Sequence, residues 1–311
     1  MNDIESDGVS GMNGSLDASG EQAALTLLRR GERLNQLKNY EAAIDDFSQV
    51  LALPECPPEQ MGLAFVHRAY SYRAINAPKA EIDDYTYAIE LSGMPPYLLA
   101  SALVSRACAY NKLNNCKDAM NDYTRVIDFL GSPAGYVAEA LFRRGQMHGE
   151  RKNYENAIDD YTRAIESRKL SAELQVFTFA SRAFTHEKLK NYGAGIADYT
   201  HVIESPGSPQ LQVGRAYIDR GRIYLRRRNV EAAVADFTNA IKLLGLSPQL
   251  MAVAYMNLAA LHCTLGNYDA AMVDCAAIKA LSGIPLILKI KVRIQQGIYW
   301  IMFRASNWRR K

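Results

Sequence analysis

Apolar and polar positions alternate along this chain with the spacing of amphipathic helices, and the same pattern returns every 38 residues. An Asp marks each return, seven times in fixed register. An aromatic residue follows the Asp in six copies, and a small residue lies three positions before it in six. Apolar residues three and four positions apart share one helix face, so each copy predicts two amphipathic helices. The recurring acids are Asp46, Asp84, Asp122, Asp160, Asp198, Asp236 and Asp274.

A second fixed point is a Gly or Ala fifteen positions before each Asp, called the small-residue position below. A small side chain lets two helix backbones approach closely, which predicts that the two helices of a copy pack antiparallel as a hairpin. Gly also falls nine positions after the Asp in five copies, as expected where a helix ends. The small-residue positions are Gly31, Ala69, Ala107, Gly145, Ala183, Gly221 and Ala259.

These residues resemble the tetratricopeptide repeat, a helical hairpin with a small residue early in its first helix and a small, aromatic, small series in its second. Gly221, Tyr224, Ala233, Phe237 and Ala240 form one such set. The resemblance covers roughly residues 24–280. It implies an all-α fold, a right-handed α-solenoid of stacked antiparallel hairpins. The copies are longer than the family's usual 34 residues and never place Trp near the start of the first helix.

The ends of the chain differ from the repeats in charge. Residues 1–20 contain four acids and no base, and we expect a disordered tail there. Residues 21–285 hold the seven repeats. Residues 286–311 contain seven basic residues and no acid. Two signals compete in this last segment, because Gly297 continues the 38-residue register of a first helix whereas 289–295 alternates as a strand would. We favour a capping helix, since an array must cover its last apolar face.

An Arg lies sixteen positions before the Asp in six copies, and Leu258 replaces it in the seventh. The guanidinium fork matches a carboxylate, so these residues predict a ladder of structural ion pairs. Pairing within a copy and pairing with the following copy are both open at this stage. Because the pair recurs in six of the seven copies, a role in structure is favoured over a row of charges that grips a ligand. The predicted ladder comprises Arg30, Asp46, Arg68, Asp84, Arg106, Asp122, Arg144, Asp160, Arg182, Asp198, Arg220 and Asp236.

The chain lacks the common motifs of catalysis and cofactor binding. It has no phosphate loop, no HExxH and no GxSxG. His148, His186 and His262 occupy the same position in three copies, which favours packing over a metal site. We therefore expect no enzymatic activity, no cofactor and no metal. Five Cys without a CxxC pair, no secretory signal and no long apolar stretch predict a cytoplasmic protein without a transmembrane segment.

Stacked hairpins of this kind offer an extended concave surface built largely from their first helices. The resemblance implies that this groove binds a peptide or a partner protein. Positions from two before to one after the small residue, with the preceding turn, are predicted to line it. Aromatic residues flanked by Arg are typical of binding hot spots. The predicted groove residues are His67, Tyr70, Glu139, Phe142, Arg143, Gln146, Phe177, Ser181, Phe184, Arg215, Ile218, Asp219 and Arg222.

The sequence therefore favours a non-catalytic scaffold or adaptor that binds an extended peptide or partner protein. An alternative is a receptor that changes superhelical shape when it binds a signalling peptide. A third hypothesis is attachment to a membrane surface or nucleic acid, or self-association, through residues 286–311. Nucleic acid is not expected as a partner, because the repeats are neutral overall and the basic run is short.

Overall fold

The computed structural model describes residues 10–54 and 56–308, and in that part of the chain it contains fifteen α-helices and no strand. From α3 to α14 the helices alternate between 17 and 13 residues, which reproduces the repeat seen in the sequence. The helices are α1 Ser10–Gln36, α2 Tyr40–Leu51, α3 Pro58–Ala74, α4 Pro78–Glu90, α5 Pro96–Lys112, α6 Cys116–Asp128, α7 Ala134–Glu150, α8 Tyr154–Glu166, α9 Ala172–Lys188, α10 Tyr192–Glu204, α11 Gln210–Arg226, α12 Val230–Lys242, α13 Pro248–Thr264, α14 Tyr268–Ala280 and α15 Leu286–Trp308.

Consecutive helices pack against each other as hairpins. The chain divides into two compact units, and the division falls between Met147 and His148. In the first unit, α1 packs on α2, α3 on α4 and α5 on α6; in the second, α9 packs on α10, α11 on α12 and α13 on α14. Each unit is thus an α-solenoid of stacked helical hairpins, as the repeat pattern predicted.

The turn between the two helices of a hairpin needs one residue in the left-handed region. Asn76 and Asn114 both have φ of 59°, and Asn tolerates that conformation better than most residues. Longer connections between hairpins use Gly instead, for example Gly93 with φ of 83° and Gly245 with φ of 76°. The equivalent position in the other five hairpin turns has φ between 60° and 78°, so the turn geometry is common to the seven repeats although the residue type is not. These residues are Lys38, Lys152, Lys190, Arg228 and Gly266.

The small-residue position allows an aromatic ring of the second helix to approach the first helix. A Cβ added at Gly31 would lie 2.6 Å from Cε1 of Phe47, and one added at Gly221 would lie 2.8 Å from Cε1 of Phe237. Both Phe side chains are fully buried. The aromatic residue after each repeated Asp thus fills the space that the small residue leaves, which couples these two sequence positions.

The repeated Arg and Asp pair within a hairpin. Arg68 donates from Nε and Nη2 to both carboxylate oxygens of Asp84, each at 2.8 Å, and Arg106 does the same with Asp122. The same two-point contact joins Arg30 to Asp46, Arg182 to Asp198 and Arg220 to Asp236. The open question from the sequence is answered for these five pairs, which lie within a repeat.

The remaining guanidinium nitrogen links each hairpin to the one before it. Nη1 of Arg106 donates to Thr86 Oγ1 at 2.9 Å, and Nη1 of Arg144 donates to Thr124 Oγ1 at 3.1 Å. Arg68 reaches Ser48, Arg182 reaches Thr162 and Arg220 reaches Thr200 in the same way. In these five repeats the hydroxyl residue two positions after the Asp is therefore an acceptor for the next repeat, a role that the sequence analysis did not assign.

The seventh repeat replaces the Arg with a different partner. Leu258 occupies the Arg position, and the Asp274 carboxylate instead contacts Nδ1 of His262 at 2.9 Å. Burial raises the pKa of Asp274, and the hydrogen bond and charge of His262 oppose that shift. His148 also lies beside the Asp of its own repeat, with Nε2 at 3.9 Å from Asp160 Oδ2. These histidines belong to the ladder.

The two ends of the chain refine the predicted boundaries. The expected tail over residues 1–20 is wrong for residues 10–20, which belong to α1, because extending an existing helix by one residue costs far less than starting one. Residues 1–9 lie outside the described part. At the other end α15 is a helix that packs on α14, so residues 289–295 do not form a strand.

Candidate interaction surface on the first helices

The predicted groove residues fall on the first helix of four hairpins. His67 and Tyr70 lie on α3, and Glu139, Arg143 and Gln146 lie on α7, all in the first unit. In the second unit, Phe177, Ser181 and Phe184 lie on α9, and Arg215, Asp219 and Arg222 lie on α11. We call these eleven residues the first-helix face. They occupy positions six before, two before and one after the small residue, which are successive turns of one helix side.

Two predicted groove residues do not belong to this face. Phe142 and Ile218 are each only 3% exposed. Both lie three positions before the small residue, where Leu28 and Val104 are also buried. This position is rotated by about 100° around the helix axis from the adjacent residue of the first-helix face, and its side chain is buried between packed helices. The assignment of Phe142 and Ile218 to a groove that meets solvent is therefore wrong.

In the first unit, α1 and α3 form a shallow pocket. Glu32, Asn35, Gln36, His67 and Tyr70 line a cavity of about 450 Å³. Nε2 of His67 lies 3.1 Å from Glu32 Oε1, and its ring stacks on Phe47 with centroids 5.6 Å apart. Burial lowers the pKa of His67, and the charge of Glu32 opposes that shift. The ring of Tyr70 remains 48% exposed at the pocket edge.

The α7 part of the face is more polar. Nη2 of Arg143 lies 3.4 Å from Glu139 Oε1, one helical turn away. The Arg143 guanidinium also lies over the ring of Phe142, 5.8 Å from its centroid. Arg143, Glu139 and Gln146 are all half-buried. This helix therefore offers hydrogen-bonding groups but no exposed aromatic ring.

In the second unit, α9 contributes aromatic side chains to the face. Phe184 is 48% exposed, and Nζ of Lys188 lies 4.5 Å from its ring centroid. Phe177, two turns earlier on the same helix side, is half-buried. An exposed aromatic ring with a cation above it presents both an apolar surface and a positive charge to a ligand.

The adjacent helix α11 contributes mainly charge. Nη1 of Arg222 lies 3.4 Å from Asp219 Oδ1, and Arg226 forms an ion pair with Glu187 of α9. Arg215 is exposed one turn before Asp219. Burial raises the pKa of Asp219, which the nearby Arg222 only partly offsets. With Lys188, basic side chains outnumber acidic ones on this part of the surface.

Some contributors to this surface were not predicted. Glu187, Lys188 and Arg226 lie four or five positions after the small residue, one helical turn beyond the residues assigned from the sequence. Glu32 of α1 shares its position, one after the small residue, with Tyr70. Extending the predicted face by one helical turn would have included Glu187, Lys188 and Arg226, and applying it to the first repeat would have included Glu32.

Other site types have little support in the described residues. There, no group of three or more His, Cys, Asp or Glu side chains is arranged to hold a metal ion. The five cysteines are not paired in disulfides. Of the helices described, none is both long enough and apolar enough to cross a bilayer.

Comparison with known proteins gives the family of the repeats. Residues 138–168 and residues 218–282 each match the tetratricopeptide repeat. These two segments are therefore tetratricopeptide repeats, as the sequence predicted, and the other hairpins of both units share their architecture. No curated protein sequence matches it.

Solved structures resemble the chain in fold. One is a tetratricopeptide repeat protein from Parabacteroides merdae, with 17% identity, a TM-score of 0.56, and coverage of 88% of this chain and 99% of that one. The C-terminal part of a TPR repeat-containing protein from Cytophaga hutchinsonii has 15% identity and a TM-score of 0.67, covering 85% and 98%. PilW, a type IV pilus biogenesis factor, has 16% identity and a TM-score of 0.54, covering 75% and 99%. At these identities the likeness concerns the fold alone.

Proposed function

We propose that this protein is a non-catalytic scaffold that binds an extended peptide or a segment of a partner protein on the α9 and α11 part of the first-helix face, within the second unit. The observation that carries the proposal is the exposed ring of Phe184 beside the basic side chains of α9 and α11. Aromatic residues and Arg are enriched among the residues that dominate binding energy. Tetratricopeptide repeats suggest protein binding as the general role.

The charges on this face define the chemistry of the ligand. Lys188, Arg215, Arg222 and Arg226 outnumber Glu187 and Asp219, and Arg222 and Arg226 are exposed. A ligand with carboxylate side chains would gain charge-assisted hydrogen bonds from the Arg side chains. An apolar side chain at the neighbouring position would cover the Phe184 ring. The face therefore suits a peptide in which acidic and large apolar residues alternate.

Selection from a displayed random peptide library, followed by calorimetric titration of the selected peptides, tests this function. The variant Phe184→Ala with Arg222→Glu removes the exposed ring and reverses one charge. Its matched control is Tyr87→Ala with Arg163→Glu, on the second helices α4 and α8, where Tyr87 is 57% exposed and Arg163 is exposed. We expect acidic, apolar peptides that bind wild type and control equally and the face variant at least about tenfold more weakly, a loss of about 1.4 kcal/mol.

Selected peptides that bind the face variant as well as wild type would place binding elsewhere and contradict the proposal. Circular dichroism of all three proteins checks that each is folded. A single sequence that binds tightly and changes the hydrodynamic radius would favour the receptor alternative over a scaffold that binds many sequences.

A further inference from the structure

The C-terminal helix α15 has two apolar sides, and only one of them is covered in the described part of the chain. On the covered side, Val292 is 1% and Tyr299 is 5% exposed, within a cluster that includes Ala271 and Cys275 of α14. The Tyr299 hydroxyl accepts a hydrogen bond from Gln295 at 2.8 Å. This side caps α14, as expected for a helix that ends an array.

The opposite side of α15 carries four isoleucines that face solvent. Ile290, Ile294, Ile298 and Ile301 are 47%, 62%, 50% and 62% exposed. Their spacing of four, four and three residues places them along one stripe of the helix. Gly297 lies within this stripe. We call these five residues the α15 stripe. A contiguous exposed apolar patch on a soluble domain marks an interaction surface more often than scattered single residues do.

The repeat register shows what covers the same positions elsewhere. Three of the stripe positions, those of Ile290, Ile294 and Gly297, fall seven before, three before and at the small-residue position. At Gly62, seven before, an added Cβ would overlap Met94 Sδ, and at Gly214 it would overlap Leu246 Cδ1. At the small-residue position itself, Phe47 and Phe237 of the second helices lie against Gly31 and Gly221.

In α15, by contrast, no described atom lies within 4 Å of a Cβ added at Gly297. In the earlier hairpins, the equivalent surface of the first helix packs against the second helix of that hairpin and the connecting segment after it. In α15 this surface is exposed. A lipid surface makes no use of a gap at a glycine, whereas an incoming helix with a large side chain fits one, as Phe47 fits Gly31.

The beginning of the array is built differently. At positions nine and five before the small residue, α3 carries Gln60 and Ala64, both buried against the preceding hairpin. The same positions in α1 carry Gln22 and Thr26, which are exposed and polar. The α15 stripe differs from this side of α1 because it is apolar.

The side chains that border the α15 stripe are basic. Lys289, Arg293 and Arg304 flank one edge and Lys291 the other, and all four are exposed. The Arg304 guanidinium lies 4.1 Å from the ring centroid of Trp300 on the first edge. Segment 286–311 contains no acid. Two copies of α15 packed together would therefore place like charges side by side, whereas an acidic occupant would find complementary charge.

From this geometry we propose that the α15 stripe binds an acidic amphipathic α-helix of a partner protein, which packs as the second helix of an eighth hairpin and places a large side chain over Gly297. The chain's own second helices provide the template for such a ligand. Residues 154–166 contain four acidic residues and one Arg, with an Asp directly before Tyr161. This proposal is independent of peptide binding on the first-helix face.

A suitable probe is a fluorescein-labelled, hydrocarbon-stapled peptide with the sequence of residues 154–166, titrated with the full chain by fluorescence anisotropy. The control peptide carries Ala in place of the residue equivalent to Tyr161 and Lys in place of the acids. We expect saturable binding below about 100 µM for the first peptide, at least tenfold weaker binding for the control, and a dependence on salt.

Two substitutions locate the binding on the α15 stripe. Gly297→Leu fills the open position and, because Leu forms helices better than Gly, keeps the chain folded while blocking an incoming side chain. Ile294→Lys adds charge to the middle of the α15 stripe. The matched control is Val273→Lys on α14, where Val273 is 68% exposed. Both stripe variants should lose at least tenfold in affinity, and the control should bind as wild type does.

Several outcomes would overturn the proposal. These are no saturable binding of the stapled peptide, equal binding by the Gly297→Leu variant, and equal binding of the control peptide. Binding of wild type to vesicles of phosphatidylserine and phosphatidylcholine, without peptide binding, would assign the α15 stripe to a membrane surface. A dimer in sedimentation that Ile294→Lys abolishes, again without peptide binding, would assign it to a second copy.

Discussion

Removal of Arg106 tests whether the Arg and Asp ladder holds the hairpins in register. The guanidinium uses two nitrogens for Asp122 at 2.8 Å and the third for Thr86 at 2.9 Å. The side chains of Arg106 and Asp122 are only 10% and 1% exposed. Arg106→Met therefore leaves the buried Asp122 carboxylate with only Arg125, whose Nη1 lies 3.7 Å from Oδ1. The loss in free energy of unfolding should be about 3 kcal/mol, the low end for a broken buried pair and far above the 0–1 kcal/mol of a surface pair.

Native-state hydrogen exchange of α5 and α6 is the assay of choice. The substitution acts on the contact between these two helices, and hydrogen exchange reports the local free energy of their opening. Arg30→Met is the matched control, because Arg30 makes the same two-point contact with Asp46 but its side chain is 60% exposed. The control should lose less stability than Arg106→Met.

The double variant Arg106→Met with Asp122→Leu separates pairing from packing. Replacing both members of a buried pair with apolar residues is often nearly neutral, so the double variant should regain most of the stability that the single variant loses. A loss below about 1 kcal/mol for Arg106→Met, or an equal loss for Arg30→Met, would refute the reasoning.

Further predictions concern the small residues and the seventh repeat. Gly221→Ala should destabilise the protein by about 1–3 kcal/mol, because the added Cβ meets the Phe237 ring. Gly297→Ala should instead stabilise it by up to about 1 kcal/mol, because Ala forms helices better than Gly. Urea unfolding measures both changes, and equal effects of the two substitutions would contradict this account of the small-residue position. Asp274 has a raised pKa in the folded state because it is buried, so its contribution to stability is present below its unfolded pKa of about 3.9 and is lost as pH rises through the folded value. Urea unfolding between pH 4 and pH 7 should therefore show Asp274→Asn gaining stability relative to wild type as pH rises, and a constant difference would oppose this assignment.

The fold could be predicted from the sequence because a single unit repeats. The Asp, the aromatic residue after it and the small residue fifteen positions before it each indicate a contact that the structure contains, as Gly31 with Phe47 illustrates. Sequence spacing also indicated that each Arg pairs with a repeated Asp, although it could not choose between the Asp of the same repeat and that of a neighbouring one. That choice depends on how the helices of a hairpin are offset along their axes, which sequence spacing does not specify.

The interaction surface was predicted less accurately because helix faces are narrow. Phe142 and Ile218 are one position away from Arg143 and Asp219, yet that step of about 100° moves a side chain from the exposed face to the interior. The role of the hydroxyl residues was missed for a different reason. Each hydroxyl accepts a hydrogen bond from an Arg of the next repeat. The relation therefore shows only when residues such as Thr86 and Arg106 are compared across a repeat boundary.

Site-specific photocrosslinking tests the central claim most directly. A photoreactive phenylalanine analogue is placed at position 184 on the first-helix face, at position 87 on a second helix and at position 298 on the α15 stripe, and each protein is irradiated with a peptide selected for binding. The account predicts crosslinks from position 184 and only background from positions 87 and 298. Crosslinks from position 87 or 298, with background at position 184, would contradict the proposal that the first-helix face is where this protein binds its ligand.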